Sequence, residues 1–265
     1  MYTIDLKGKT GLVLGVTNQR SIAWSIAKPL AEAGARLIFS YQAERLRGAL
    51  EKLTQNLEDP VLYECDVQFD DQLDKLFKDI ESTVGRLDFV VHSLAYAPQA
   101  TFENPFFHTT REDWRTAMDV SAYSLVAVAK RAAPLMTEGG SILTMTYLAA
   151  ERVVPHYNMM GVAKAALEAS VRFLAYELGP AGIRVNAISA GPVRTVAARS
   201  ISGFAGMYAE AGRQSMLQRN ITQEEVGAVG LSLIAEQLGS GITGEIVFVD
   251  AGYHAIGMFV PEDNR

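Results

Sequence analysis

Tyr157 and Lys164, seven positions apart, and a second tyrosine at Tyr147 are the residues of this chain whose types and spacing could do chemistry. On a continuous helix each residue turns about 100°, so residues seven apart lie within about 20° of one face and about 10.5 Å apart along the axis. A phenol and an ammonium so placed enter one cleft. There the phenol donates a hydrogen bond to an oxygen on which negative charge develops, while the ammonium fixes a neighbouring hydroxyl and adds positive field. Such a pair moves no electrons and needs a partner that supplies them. A rim tyrosine and a solvated lysine give the same spacing, so the elements that position the pair must decide between the two readings.

Those elements alternate. Short β-rich runs at residues 10–16, 36–40, 61–66, 87–92, 141–146, 183–189 and 245–249 are separated by longer stretches of helical period. This is the pattern of parallel strands joined by crossover helices. It predicts a single α/β domain of Rossmann type, with a doubly wound seven-stranded parallel sheet and helices on both faces. Leu73, Leu76, Phe77, Ile80 and Val84 recur at three- and four-residue steps and should bury one stripe. Pro29 falls inside the first helical pattern, 21–34, and lacks the N–H that would bond to Ser25, so a bend is expected there before Gly34 ends the helix. The domain is expected over residues 1–260, with 261–265 as a polar tail.

Composition narrows the function. The 265 residues (28.8 kDa) are 49% hydrophobic, enough for a sizeable core. A net charge of -6 without a basic run opposes polyanion binding, so no nucleic-acid partner is expected. No run of 18 apolar residues exists and the N-terminus lacks a basic stretch followed by an apolar core, so neither membrane insertion nor secretion is expected. The lone Cys65 cannot form an internal disulfide, which fits a reducing, cytoplasmic setting. His92, His108, His156 and His254 show no paired metal spacing and no Gly-x-Ser-x-Gly elbow occurs, so neither a catalytic metal nor a hydrolase is expected.

The first strand empties into Gly15, and Ser21, Ile22 and Ala23 follow where a helix begins. Free N–H groups at a helix start attract phosphate, and small residues let a pyrophosphate approach closely. The full Gly-x-Gly-x-x-Gly is absent, so an unremarkable strand-to-helix turn remains open. Later strand ends carry Ser40, Tyr41 and Gln42, placed for an adenosine ribose; Asp66 and Val67, placed for an adenine edge; and Ser93, Leu94 and Ala95, small enough for close backbone passage. Asp66 could instead cap the next helix.

Gly15 with Ser21, Ile22 and Ala23, Tyr41 with Gln42, the run 65–67, the run 92–95, Tyr147 followed by Tyr157 and Lys164, and the run 189–195 together resemble the short-chain dehydrogenase/reductase superfamily. Within it the chain is similar to the bacterial NADH-type enoyl-acyl-carrier-protein reductases of fatty-acid elongation, over nearly its whole length. That resemblance implies NAD contacts from Gly15, Ser21, Ile22, Gln42, Asp66, Val67, Ser93, Lys164, Val193 and Thr195. It implies catalysis by Tyr157 and Lys164, with Tyr147 beside the substrate. The segment after Pro192 mixes apolar and small residues, with Gly203 and Gly206 available as hinges. It reads as a substrate lid near 193–212 over a pocket lined by Ala95, Tyr96, Tyr147, Tyr157, Met160, Ala197, Ile201, Phe204 and Met207, and a surface helix packed on the core or a subunit contact stays open. The resemblance also implies an acyl carrier protein as partner and a homotetramer.

Ketoreductases of the superfamily place tyrosine and lysine four apart, whereas Gly161 follows Tyr157 and Glu151 follows Tyr147 at that distance. A more distant ammonium lowers a phenol's pKa less, so a mainly neutral Tyr157 is expected. A neutral phenol suits a 2-enoyl thioester, whose carbonyl oxygen gains charge without being reduced when hydride reaches the β-carbon. A carbonyl-reducing relative and a non-catalytic dinucleotide sensor are the alternative readings. Gln42 at the ribose position goes with NADH in the family, while Arg45 and Arg47 keep NADPH open. Residues 202–206 carry none of the basic side chains with which relatives dock an acidic carrier, leaving Arg194, Arg199 and Arg213 as substitutes. The apolar stretches 123–129 and 165–173 could face either the sheet or a second subunit.

Overall fold

The computed structural model describes residues 3–196 and 203–259. Seven strands, β1 (Thr10–Leu14), β2 (Arg36–Tyr41), β3 (Val61–Glu64), β4 (Phe89–His92), β5 (Gly140–Thr146), β6 (Ile183–Ala190) and β7 (Ile246–Val249), form one sheet in the order β3-β2-β1-β4-β5-β6-β7. Every pairing is parallel, as the alternation of patterns requires. The expected polar tail lies outside the described residues.

Each inner strand is apolar on both faces because each face is covered. Leu12 and Leu14 of β1 enter one core, with Val90, Ile142 and Val185. The helices over that face are α3 (Asp70–Val84), α6 (Ser124–Ala132) and α7 (Asn158–Leu178), and Leu73, Leu76, Phe77 and Ile80 form the buried stripe of α3. Val13, Phe89, Leu143 and Ile188 point the other way into a second core, under α1 (Ile22–Glu32) and α9 (Gln223–Ile234). Short helices α2 (Arg47–Thr54), α4 (Ala100–Glu103) and α5 (Arg111–Met118) precede α6; α8 (Phe204–Gln214) and α10 (Glu236–Gly239) flank α9.

The helix α1 runs through Pro29 as one element. The proline leaves the Ser25 carbonyl without its intrahelical donor. Gly227 of α9 packs directly over that oxygen, and a Cβ at Gly227 would overlap it. A packed neighbour helix thus holds the element at the position where propensity alone would disrupt it. Gly34, with φ +95°, then turns the chain into β2.

Between α5 and α6 the chain makes a π-helical turn over Asp119–Tyr123, which the sequence pattern does not reveal. Such turns recur at functional sites because they move one side chain out of α-helical register.

Candidate active site

Strand order reverses between β1 and β4, and their carboxyl ends open a crevice of the kind that binds nucleotides in open α/β sheets. Gly15 leaves β1 with φ +99°, so close to β4 that a Cβ would overlap the Ser93 carbonyl oxygen. Only glycine fits the bend. Ser21, the first residue before α1, does not cap the helix. Its hydroxyl turns back to accept from the N–H groups of Thr17 and Asn18, at 3.0 and 3.2 Å. No acidic residue occupies the first turn of α1 either. By contrast α5 and α9 are closed by full capping boxes, Thr110 with Asp113 and Thr222 with Glu225. The α1 N-terminus, with Ile22 beside it, therefore presents N–H groups and a positive dipole end that no side chain of its own neutralises. That donor set fits a pyrophosphate.

At the next strand end Gln42 donates from Nε2 to Asp66 Oδ2 at 2.9 Å. Asp66 does not cap α3; its carboxylate closes a turn by accepting from Gln68 N at 3.0 Å, and its own N–H bonds to Gln72. The structure so joins two residues 24 positions apart that the sequence placed at the adenosine end, with Val67 partly buried beside them. Of the two nearby arginines, Arg47 is engaged by Glu51 and Glu44.

Tyr157 and Lys164 do not share a regular helix, which corrects the spacing argument. Asn158 adopts φ +41° and His156 φ +65°, so Tyr157 sits in the turn that leads into α7 and only Lys164 lies inside the helix. Asn158 is held there because its Nδ2 donates to the carbonyls of Thr101 and Asn104, each at 3.0 Å. Asparagine tolerates the left-handed region better than most residues, and such strain gathers at functional sites.

The Tyr157 ring lies 5.0 Å from that of Tyr147, tilted by 60°, and meets Phe102 edge-on at 6.4 Å. Burial raises the Tyr157 phenol well above its ordinary value, with Tyr147 adding to the effect; burial likewise pushes Tyr147 up to about 12. Both are protonated at neutral pH, which agrees with the neutral phenol expected from the spacing. Lys164 is buried, and its Nζ donates to the Met145 carbonyl at 2.8 Å. Burial brings its amine down to about 8, against the opposing field of Glu168.

The expected substrate residues divide. Met207 of α8 approaches the Tyr147 hydroxyl with its sulfur at 4.0 Å, the Phe204 ring lies 6.0 Å from that of Tyr208 at a 45° tilt, and both Met207 and Phe204 are partly buried. Met160 is instead fully packed in a small core with Ala97, Ala117, Met159 and Ala163, on which Tyr157 rests, so it forms the floor under the phenol. Ala95 and Tyr96 are exposed at the rim; Val193 is buried and Thr195 partly so after β6. Ala197 and Ile201, and with them the middle of the expected lid, lie outside the described residues. Gly203, with φ +75°, starts α8, while Gly206 lies within that helix, so the second expected hinge is a helical residue. A cavity of about 160 Å³ opens beside Tyr147, walled by Pro155, Pro192, Met207, Glu210, Asp250 and Tyr253.

Two positioning contacts were missed by sequence reasoning. Ser121, raised by the π-helical turn, accepts from Tyr96 N and donates to Tyr96 O, both at 2.9 Å. It clamps the segment after β4 from below. One turn on, Ser124 meets His92 Nε2 at 2.8 Å while Thr144 meets Nδ1 at 2.9 Å. His92 is thus a structural core group, and burial takes it down to about 3. Among the described residues no group of three or more His, Cys, Asp or Glu side chains is arranged to hold a metal ion, and no helix is long and apolar enough to cross a membrane.

The profile of the family described as enoyl-(acyl carrier protein) reductase matches residues 15–254. The chain belongs to the enoyl-acyl-carrier-protein reductase family. It is 48% identical to the NADH-type enoyl-acyl-carrier-protein reductase of Bacillus cereus, over 95% of this chain and 99% of that one. It is 47% identical to an NADPH-type reductase of Staphylococcus aureus, over 96% and 99%. The crystal structure of a Bacillus cereus enoyl-acyl carrier protein reductase with NADP+ and an indole naphthyridinone superposes with a TM-score of 0.94, at 47% identity, covering 96% of this chain and all of that one. The reductase of Anaplasma phagocytophilum in complex with NAD superposes with a TM-score of 0.93 at 44% identity, covering 98% and 99%. This reductase thus has the seven-stranded fold of its family, with the uncapped α1 terminus at the crevice between β1 and β4.

Proposed function

We propose that the enzyme reduces the carbon–carbon double bond of a trans-2-enoyl thioester carried by acyl carrier protein, with NADH as hydride donor. The observation that carries this reading is the pair of partly buried phenols, Tyr147 and Tyr157, with ring centroids 5.0 Å apart, together with the buried amine of Lys164, which reaches the carboxyl end of β5 at the Met145 carbonyl. When bound, the reduced nicotinamide supplies hydride to the β-carbon of the substrate. Tyr157 then donates a hydrogen bond to the thioester oxygen as negative charge grows there, in a site whose low polarity strengthens that bond. Lys164, which here donates to the Met145 carbonyl, would hold the nicotinamide ribose and add positive charge to the site. Tyr147 and Met207 wall the acyl side and exclude water. Gly15, Ser21, Ile22 and Ser93 hold the pyrophosphate side, and Gln42 with Asp66 the adenosine end; Val67, Val193 and Thr195 complete the groove. A proton at the α-carbon finishes the reduction.

Gln42, neutral and already bonded to Asp66, favours a free ribose hydroxyl over a 2′-phosphate, and the engagement of Arg47 by two glutamates points the same way. Two of the three arginines suggested for carrier docking lie in the described residues. Arg213 pairs with Glu210, while Arg194 lies over the Tyr208 ring at 4.5 Å, exposed at the foot of α8. Arg194 is the better anchor for an acidic carrier. For assembly, the stretch 123–129 divides: Leu125, Ala127, Val128 and Ala129 are buried against the sheet, whereas Tyr123 is exposed. On α7, Phe173 and Tyr176 are 70% and 83% exposed, and a homotetramer would cover this face. The lone buried Cys65 fits a cytoplasmic enzyme.

The test is a paired assay. NADH should be oxidised with crotonyl thioester and not with acetoacetyl thioester; the reverse result would establish a carbonyl reductase, and binding of NADH without turnover of either would establish a sensor.

A further inference from the structure

The last two residues of β5 each receive one polar group of α7. The Met145 carbonyl accepts from Lys164 Nζ at 2.8 Å, and the Thr146 hydroxyl donates to Glu168 Oε1 at 2.7 Å. Lys164, Glu168 and Thr146 are 3%, 5% and 5% exposed. Lys164 and Glu168 are four apart on one helix, which puts them on the same face with Cβ atoms about 5–6 Å apart. A carboxylate this deep is costly unless something requires it. Neither hydride transfer nor the hydrogen bond from Tyr157 requires it.

We infer that Glu168, fixed by Thr146, is a positioning residue for Lys164: it holds a compensating negative charge one helical turn below the amine that meets the cofactor ribose. The inference rests on the assignment of Lys164 to the cofactor side of the cleft. A buried lysine alone tends to lose its proton, because desolvation disfavours the charged form. Burial brings Lys164 down to about 8, and Glu168 is the group that opposes the fall. Glu168 is itself raised by burial, and the Thr146 hydrogen bond restrains that rise. The other charges that face Glu168 are Glu151, from the turn after β5, which raises it, and Arg172, one turn further along α7, which lowers it together with Lys164. Facing Lys164 from β4 is His92, which the lysine charge helps to keep neutral. A Glu168 carboxylate therefore keeps the neighbouring amine charged at neutral pH, where a neutral amine would bond a ribose hydroxyl less strongly and add no field at the oxyanion.

The experiment reads cofactor binding. NADH affinity is followed by nicotinamide fluorescence across pH in the full-length enzyme, in Glu168→Gln, in the double variant Thr146→Val with Glu168→Met, and in Lys164→Ala. Glu168→Gln keeps an oxygen for the Thr146 hydroxyl. The double variant removes the charge and its partner together, the replacement that best preserves a buried site. Affinity in the unsubstituted enzyme should fall as pH rises through the Lys164 titration near 8. In both Glu168 variants the fall should begin about one pH unit lower, so that NADH binds about tenfold more weakly near pH 9 and about equally at pH 6. Normal affinity at the acid end shows that the variants are folded. An unshifted titration in variants that bind normally at the acid end overturns the role of Glu168 alone. Persistence of the same titration in Lys164→Ala overturns the assignment of Lys164 and, with it, this inference.

Discussion

Tyr147 and Tyr157 reach the same cleft from opposite ends of one connection, with ring centroids 5.0 Å apart, and only Tyr157 rests on the packed floor made by Met160 and Ala163. The floor supports the Tyr157 side chain, whereas Tyr147 faces the cavity and Met207. The two phenols should therefore fail differently. Tyr157→Phe is expected to lower kcat for an enoyl thioester by about 10²–10³, and Tyr147→Phe to raise KM with kcat changed far less. Steady-state NADH oxidation with a short enoyl thioester separates the cases; a loss within about a factor of two in Tyr157→Phe removes the oxyanion role.

Ser121 makes both of its bonds to one residue, Tyr96. Ser121→Ala frees the segment that carries Ala95 and Tyr96 without touching the dinucleotide crevice. KM for the enoyl substrate should rise about fivefold, the equivalent of one net hydrogen bond, with NADH affinity unaltered. Equal weakening of both ligands would mean that the clamp serves the whole fold.

Gly227 and the Ser25 carbonyl pack without room for a methyl group. Gly227→Ala should therefore separate α1 from α9 and cost about 1–3 kcal/mol by the overpacking of a close contact, read as a lower urea midpoint. Because α1 carries the phosphate-binding terminus, NADH affinity should fall with it. An unchanged midpoint would show that the two helices can shift freely.

His92 is buried and neutral, held down to about 3 by burial first and by Lys164 second. An unfolded histidine binds its proton near pH 6.5, so between about pH 6.5 and 3 the unfolded state holds one more proton than the native state, and stability falls as pH falls, by about 1.4 kcal/mol per unit. His92→Gln keeps hydrogen-bonding groups for Ser124 and Thr144 and removes the titration. Its stability should be lower at pH 7 yet decline less between pH 6 and pH 4, measured by urea unfolding. Parallel declines would assign the acid sensitivity to other groups.

The alternation of β-rich and helical runs was enough for the seven strands and their parallel pairing. Strand limits shifted by a residue or two where the last residues of a run, such as Gly15 and Cys65, leave the ladder to form the crevice or a turn. The crevice at the carboxyl edge was legible because a parallel sheet must bring successive strand ends to one side. Pro29 was legible as a conflict, though its resolution by Gly227 was not. The helical spacing of Tyr157 and Lys164 rested on an inexact geometry, since a local rule cannot foresee that Asn158 reaches back 57 and 54 positions to Thr101 and Asn104.

The sequence by itself determined the class of fold, the family, and the side chains that could polarise an oxygen and hold a dinucleotide, because these follow from hydrophobic period and from residue types at strand ends. Tertiary structure alone decided the left-handed turn that aims Tyr157, the π-helical turn that lifts Ser121 to Tyr96, and the pairing of Thr146 with Glu168 beneath Lys164. Each depends on backbone or side-chain groups brought together by packing across the sheet. Their energies exist only once burial has removed the water that would otherwise satisfy them.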